Sequence, residues 1–312
     1  MANSLPENIL VALPETPEDF AKGKYRVVAA AEARVSAFDR SFHFGDSIYE
    51  VARTYNGVFF GLKEHMERMK GSLKLAAFEE MPDFALIERM ILDASRQWCK
   101  RFGNQDLYAR WMVSRGVGDL NINRAISSPP YALVFVKKLD APTVEDFAKG
   151  YHYAIVTRLR NDPRAIDPHM KSGNYINNIL ALAEARARGA QDGIFLDANH
   201  CITEGTTNNV YAIIDGQVVT SRDDAPILEG VTRKWVFAAA RAEGIPVVAR
   251  DLPAAEFAQA AELFMSSSIK EIMPITRLDG SLIAGGKAGA LTRKLAQRLK
   301  RMIETDCEQR AA

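Results

Sequence analysis

A chain of 312 residues is long enough for one large domain or two ordinary ones, because single cores stop growing near about 250–300 residues. Its hydrophobic share of 47% and charged share of 25% match soluble globular proteins, which sets aside disorder, collagen-like repetition and a disulfide scaffold. With 40 Lys plus Arg against 39 Asp plus Glu, the net charge of +1 gives no bulk electrostatic reason to expect nucleic acid or an anionic membrane as partner.

The first segment, Met1 to Phe20, has only the short apolar run Ile9 to Leu13 and carries Glu7, Glu15, Glu18 and Asp19, so it does not read as a secretory signal. No run of about 18 apolar residues follows anywhere, so no membrane span is expected. Asn56-Gly57 separates a strand signal, Ile48 to Tyr55, from another, Val58 to Leu62, and favours a two-residue hairpin. A helix is predicted from about Glu64, with Met66, Met69, Leu73 and Ala76 on one face, and a second over Phe84 to Phe102. Strand signals follow at Leu107 to Val113 and Tyr131 to Val136. The charged, aperiodic stretch 139–147, with Pro142 inside it, is the expected linker between a smaller domain, 1–138, and a larger one, 148–312.

Beyond the linker, strands are predicted at Tyr153 to Thr157, Gly193 to Leu196, Val210 to Ile214 and Val218 to Thr220, the last two joined by Asp215-Gly216. Helices are predicted over Tyr175 to Arg188, closed by Gly189, over Thr232 to Glu243, closed by Gly244, and over Leu291 to Ile303. The reading is two α/β domains. Cys99, Cys201 and Cys307 are widely spaced, without C-x-x-C or a His cluster, and read as free thiols of the cytoplasm with no metal role.

Four stretches stand out chemically. In His169-Met170-Lys171-Ser172-Gly173-Asn174-Tyr175 a lysine precedes a helix with an aromatic hydroxyl four residues on, and a poorly solvated lysine is available as a Schiff-base amine. Thr203 to Asn209 sets Glu204 among small hydroxyl and amide residues, which suits an acid held opposite a cationic ring nitrogen. Leu228 to Arg233 opens a helix with Gly230 and Thr232, and Ser266-Ser267-Ser268 follows the apolar Leu263 to Met265; both suit an anionic phosphate. Each has a plainer reading alone: a solvated lysine, a polar turn, a capping threonine, a serine turn. Neither phosphate candidate matches a Walker A loop or G-x-G-x-x-G.

Together and in order, these stretches resemble the class IV aminotransferases, the fold-type-IV pyridoxal-phosphate enzymes that include branched-chain and D-amino-acid aminotransferases. Phe38-Asp39-Arg40, Phe44 to Glu50 and Glu64-His65-Met66-Glu67-Arg68 complete the motif set, which runs from Phe38 to Ser268. The resemblance implies a two-domain, D-amino-acid-aminotransferase-like α/β (α+β) fold of type IV, with pyridoxal 5'-phosphate as cofactor. Lys171 matches the lysine that binds the cofactor and shuttles a proton. Glu204 matches the carboxylate on the pyridine nitrogen, and Tyr175 the hydroxyl near the ring's phenolic oxygen. Arg68, Val231, Thr232, Ser267 and Ser268 match the phosphate cup, and Asn209 lies in a stretch that lines the ring.

Substrates implied by the resemblance are amino acids and 2-oxo acids, handled by ping-pong transamination in a homodimer or higher homo-oligomer. Tyr108-Ala109-Arg110 resembles the Tyr-x-Arg of branched-chain enzymes, whereas Tyr49 and Val51 in Tyr49-Glu50-Val51-Ala52-Arg53 look more like D-amino-acid enzymes. The substrate-binding positions implied are Tyr49, Val51, Arg53, Tyr108, Arg110 and Arg115. Branched-chain L-amino acids with 2-oxoglutarate are the first expectation. A D-amino-acid aminotransferase, an aminodeoxychorismate lyase and an inactive relative serving as a binding module stand as alternatives.

Overall fold

The computed structural model describes residues 8–311; Ala312 and the first seven residues of the expected first domain, Glu7 among them, lie outside the described residues. The chain forms two compact units, one of residues up to Asp140 together with Met170–Asn174, the other of Ala141–His169 and Tyr175–Arg310.

The first unit runs β1 (Ile9–Leu13), α1 (Pro17–Ala21), β2 (Arg26–Ala29), α2 (Arg40–Phe44), β3 (Ser47–Tyr55), β4 (Val58–Phe59), α3 (Leu62–Leu75), α4 (Phe84–Phe102), β5 (Leu107–Ser114) and β6 (Tyr131–Lys138). Its strands form one antiparallel sheet in the order β2-β1-β6-β5-β3-β4. Because side chains alternate across a strand, Leu107, Ala109, Trp111 and Val113 of β5 are buried in a core shared with Met66, Met69 and Leu73 of α3 and Leu86, Met90 and Ile91 of α4. The hairpin forms at Asn56-Gly57, but β4 ends early: Gly61, at φ +63°, turns the chain and α3 begins at Leu62, two residues before the sequence predicts.

The second unit runs α5 (Val144–Lys149), β7 (Tyr151–Leu159), α6 (Ile176–Ala187), β8 (Asp192–Leu196), β9 (Ile202–Gly205), β10 (Asn209–Ile214), β11 (Gln217–Thr220), α7 (Val231–Ala242), β12 (Val247–Ala249), α8 (Ala254–Ala258), β13 (Glu262–Ser267), β14 (Glu271–Leu278), β15 (Ser281–Leu282) and α9 (Ala290–Ala311). The sheet order is β12-β11-β10-β13-β14-β7-β8-β9, with β15 on β14. The pair Asn209↔Glu204 brings β9 back to β10, so β10, β13, β14, β7, β8 and β9 close on themselves. Strand β8 and the middle of β7, residues 153–156, are covered on both faces. Tyr153 and Ile194 enter a core with Val210, Leu263 and Met273, while Ala154, Val156 and Phe195 pack with Ala181 and Ala185 of α6.

Two features depart from the sequence reading. Part of the 139–147 stretch is helical: Thr143 caps α5, its hydroxyl accepting from the Asp146 N–H at 3.1 Å while the Asp146 carboxylate accepts from the Thr143 N–H at 2.8 Å. And Met170–Asn174, which chain order assigns to the second unit, packs with the first. There Ser172 bridges Ile48, the Tyr49 N–H donates to the Lys171 carbonyl at 3.0 Å, and the Gly173 N–H donates to the Ser47 carbonyl at 2.7 Å.

Candidate active site

Strands β3 and β5 pair with Val51 opposite Arg110 and Arg53 opposite Tyr108. Opposed residues share a face, so Tyr49, Val51, Arg53, Tyr108 and Arg110 lie together on the side of the sheet away from the Trp111 core. The Arg110 guanidinium stands 4.1 Å from the Tyr49 ring centroid and the Lys171 ammonium 4.6 Å from the same centroid. Among the described residues the Lys171 ammonium has no carboxylate partner. Its backbone is fixed: besides the Tyr49 bond, its N–H donates to Ser72 Oγ at 3.1 Å. Lys171 and Tyr175 do not share a helix face, because 170–174 is irregular apart from the single bridge at Ser172 and α6 starts only after Tyr175, its N-cap residue.

On the opposite face of β3, Glu50 is wholly buried. Its carboxylate accepts from Arg68 Nε at 2.6 Å and Nη2 at 2.7 Å, and His65 Nδ1 lies 2.7 Å away. Burial alone raises this carboxyl's pKa, but the Arg68 guanidinium and His65 outweigh it and hold Glu50 well below the usual carboxylate range. His65 is itself pushed down by burial, which outweighs the pull of Glu50. The network sets the direction of the Arg68 side chain.

Arg115 is placed differently from the other substrate candidates. It follows the end of β5, donates through Nε to Asp46 at 2.8 Å, and gives Nη1 and Nη2 to the Ala77 and Ala76 carbonyls at 3.1 and 2.7 Å. All three nitrogens are committed, and any substrate contact has to compete with these bonds. Arg40, also on Asp46 at 2.9 Å, reaches the Asn121 and Ile122 carbonyls and fixes that loop.

In the second unit the polar turn around Glu204 is a strand, β9, with Glu204 only 5% exposed. Its Oε1 accepts from Arg160 Nε at 2.8 Å and its Oε2 from the Leu228 N–H at 2.9 Å. Asn209, opposite Glu204, donates through Nδ2 to the Leu228 carbonyl at 2.9 Å. Asn209 also pairs with Ser266 of β13, whose last residue is Ser267, with Ser268 next. Gly230 is the N-cap of α7 and provides no side-chain cap, and Val231 and Thr232 are the first two residues of the helix. Arg160 was not singled out by sequence, and Glu50 and Leu228 stood only as members of motif stretches without a role; each acts through a partner 18 to 44 residues away, for which no local pattern exists.

Known proteins similar to this chain identify its family. A family model described as amino-transferase class IV matches residues 47–278. A putative branched-chain-amino-acid aminotransferase of Methanocaldococcus jannaschii is 32% identical over 282 residues, covering 90% of this chain and 94% of that protein. A D-alanine aminotransferase of Listeria monocytogenes serotype 4b is 31% identical over 285 residues, covering 90% and 95%. Among solved structures, the branched-chain amino acid aminotransferase of T.th. with pyridoxamine 5'-phosphate superposes with a TM-score of 0.83 at 25% identity, covering 96% of this chain and 95% of that one. The fold is that of the type IV enzymes. The chain belongs to the class IV aminotransferases, which use pyridoxal phosphate to move an amino group between amino acids and 2-oxo acids.

Proposed function

We propose that this enzyme takes the amino group from branched-chain L-amino acids and passes it to 2-oxoglutarate. The observation that carries this reading is the shared sheet face of Tyr108 and Arg110 with Tyr49, where the Arg110 guanidinium lies 4.1 Å from the ring of Tyr49, itself in contact with Lys171. A planar guanidinium on the same aromatic ring as the amine suits a carboxylate-bearing substrate. Tyr49 and Val51, with the D-alanine aminotransferase relatives, support D-amino acids as the second reading.

The residues fit the cofactor by their donor chemistry. The start of α7 offers backbone N–H groups with no side-chain cap, and a Cβ on Gly230 would stand 2.2 Å from Asn209 Oδ1, so that approach is open only to glycine. Val231 and Thr232 N–H groups, the Ser267 and Ser268 hydroxyls and Arg68 are assigned to the phosphate. Glu204 is assigned to the pyridine nitrogen and Tyr175 to the phenolic oxygen. Pyridoxal phosphate, when bound, supplies the aldehyde and the electron sink. Lys171 Nζ would take the proton from the Cα of the donor amino acid and, in the second half-reaction, give a proton to the Cα formed from the 2-oxo acid, while Arg110 orients the substrate carboxylate and Arg160 holds Glu204 in place.

A homodimer in the cytoplasm completes the proposal. Its support is the exposed Phe38, Phe42, Leu120 and Ile122 in the first unit and Ile176, Ile179 and Leu180 in the second, which a second copy would cover, together with the free thiols of Cys99 and Cys201. Among the described residues no helix is long and apolar enough to cross a membrane. The test is turnover with L-leucine, L-isoleucine, D-alanine and aminodeoxychorismate, each with 2-oxoglutarate. Turnover with the first two supports the proposal, and silence with both ends it. Light scattering reads the mass in solution.

A further inference from the structure

One residue, Leu228, is held at both of its backbone polar groups by two side chains that face each other across β9 and β10. Glu204 Oε2 accepts its N–H and Asn209 Nδ2 donates to its carbonyl, both at 2.9 Å. Two residues further on is Gly230, the N-cap of α7, at φ −67° and ψ 132°, a conformation open to any residue. What demands glycine there is space, because its Cβ would stand 2.2 Å from Asn209 Oδ1. The amide of Asn209, a residue 6% exposed, therefore contacts both ends of the segment 228–230 that turns the chain into α7.

We propose that Asn209 is a positioning residue for the start of α7, not a lining of the cofactor ring. By fixing 228–230 it holds the Val231 and Thr232 N–H groups at a set separation from the Glu204 carboxylate, so the phosphate donors and the ring partner form one preorganised unit. Preorganised donors bind an anion without a reorganisation cost, which a loosened segment has to meet from its binding energy. This inference rests on reading Val231 and Thr232 as phosphate donors.

The test compares the dissociation constants of pyridoxal phosphate and of pyridoxal, which lacks the phosphate, in the full-length wild-type chain and in Asn209→Ala. The variant is expected to bind pyridoxal phosphate about five- to tenfold more weakly and pyridoxal within about twofold of wild type, the scale of one hydrogen bond. An equal loss for both ligands, or no loss, overturns the proposal. Gly230→Ala gives a second arm that does not depend on the stability of Asn209→Ala. It is expected to weaken pyridoxal phosphate alone, and the double variant to be no weaker than Asn209→Ala, because the obstructing Oδ1 is gone; additive losses overturn the proposal. Amide exchange over 228–232 in the cofactor-free chain separates the two readings. Faster exchange in Asn209→Ala supports the positioning role and unchanged exchange overturns it, whereas equal wild-type affinity for the two ligands counts against the phosphate assignment itself.

Discussion

Arg68 donates two hydrogen bonds to Glu50, one to each carboxylate oxygen, at 2.6 and 2.7 Å, and the carboxylate they meet has no exposure to water. Such a pair is costly to break from one side, because the surviving charge stays buried. Glu50→Gln is expected to lower stability by about 3–5 kcal/mol at pH 7, read by urea denaturation. The folded pKa of Glu50 lies below its unfolded value of about 4.3, so this stabilisation is complete above about pH 4.3 and is lost as pH falls toward the depressed folded value. The gap between wild type and variant should therefore narrow in acid. A gap that widens in acid contradicts the assignment.

The segment carrying Lys171 is fitted tightly to β3. A Cβ on Gly173 would stand 2.2 Å from Ser47 Oγ and 3.5 Å from Ser47 Cβ. Gly173→Ala is expected to cost about 1–3 kcal/mol of stability and to lower kcat by about a hundredfold through displacement of the lysine. Ser47→Ala in the same chain removes the clashing oxygen and should recover most of both losses. Lys171→Ala should lose about a hundredfold or more in kcat with no recovery from the Ser47 change.

Arg110→Lys keeps the charge but loses the planar fork. It is expected to raise the KM for 2-oxoglutarate by about tenfold while leaving the dissociation constant of pyridoxal phosphate unchanged, measured by steady-state kinetics and by titration of the cofactor. A loss confined to cofactor affinity would reassign Arg110.

His169 lies 2.8 Å from an Asp167 carboxylate oxygen through Nδ1 and 3.0 Å from the Asp223 carbonyl through Nε2. Burial lowers its pKa, but the Asp223 carbonyl and the Asp167 carboxylate outweigh burial and raise it. A raised folded value means stabilisation that is complete below about pH 6.5 and lost as pH rises through the folded pKa. His169→Gln should thus be less stable than wild type by up to about 1 kcal/mol near pH 5.5, with the difference gone by about pH 9, in denaturant titrations at the two values.

What the sequence revealed follows from how far each signal reaches. The alternation in Leu107 to Val113 and the spacing of Met66, Met69 and Leu73 are local, and both place their residues on the faces the structure has. Lys171 and Glu204 stood out by ordered resemblance, although β9 did not: its four residues, Ile202 to Gly205, include the polar Thr203 and Glu204, and all four are buried, so no period marks them as a strand. The partners of the site residues were hidden for another reason. The tie of Arg115 to Asp46, 69 positions earlier, leaves no local mark, and Arg160 gains meaning only from Glu204, 44 positions later. That Lys171 is anchored to the first unit depends on one bridge, two backbone hydrogen bonds and a third bond from its N–H to the Ser72 hydroxyl, which no composition encodes.

The circuit of six strands in the second unit is completed by a single rung, Glu204 to Asn209. Without that rung β9 is paired only with β8 and its other edge is bare; with it, β9 is held between β8 and the first residue of β10, a strand already flanked by β11 and β13. Closing the circuit sets Glu204, the proposed partner of the pyridine nitrogen, opposite Asn209, so on refolding cofactor binding should return in step with that pairing and not before it.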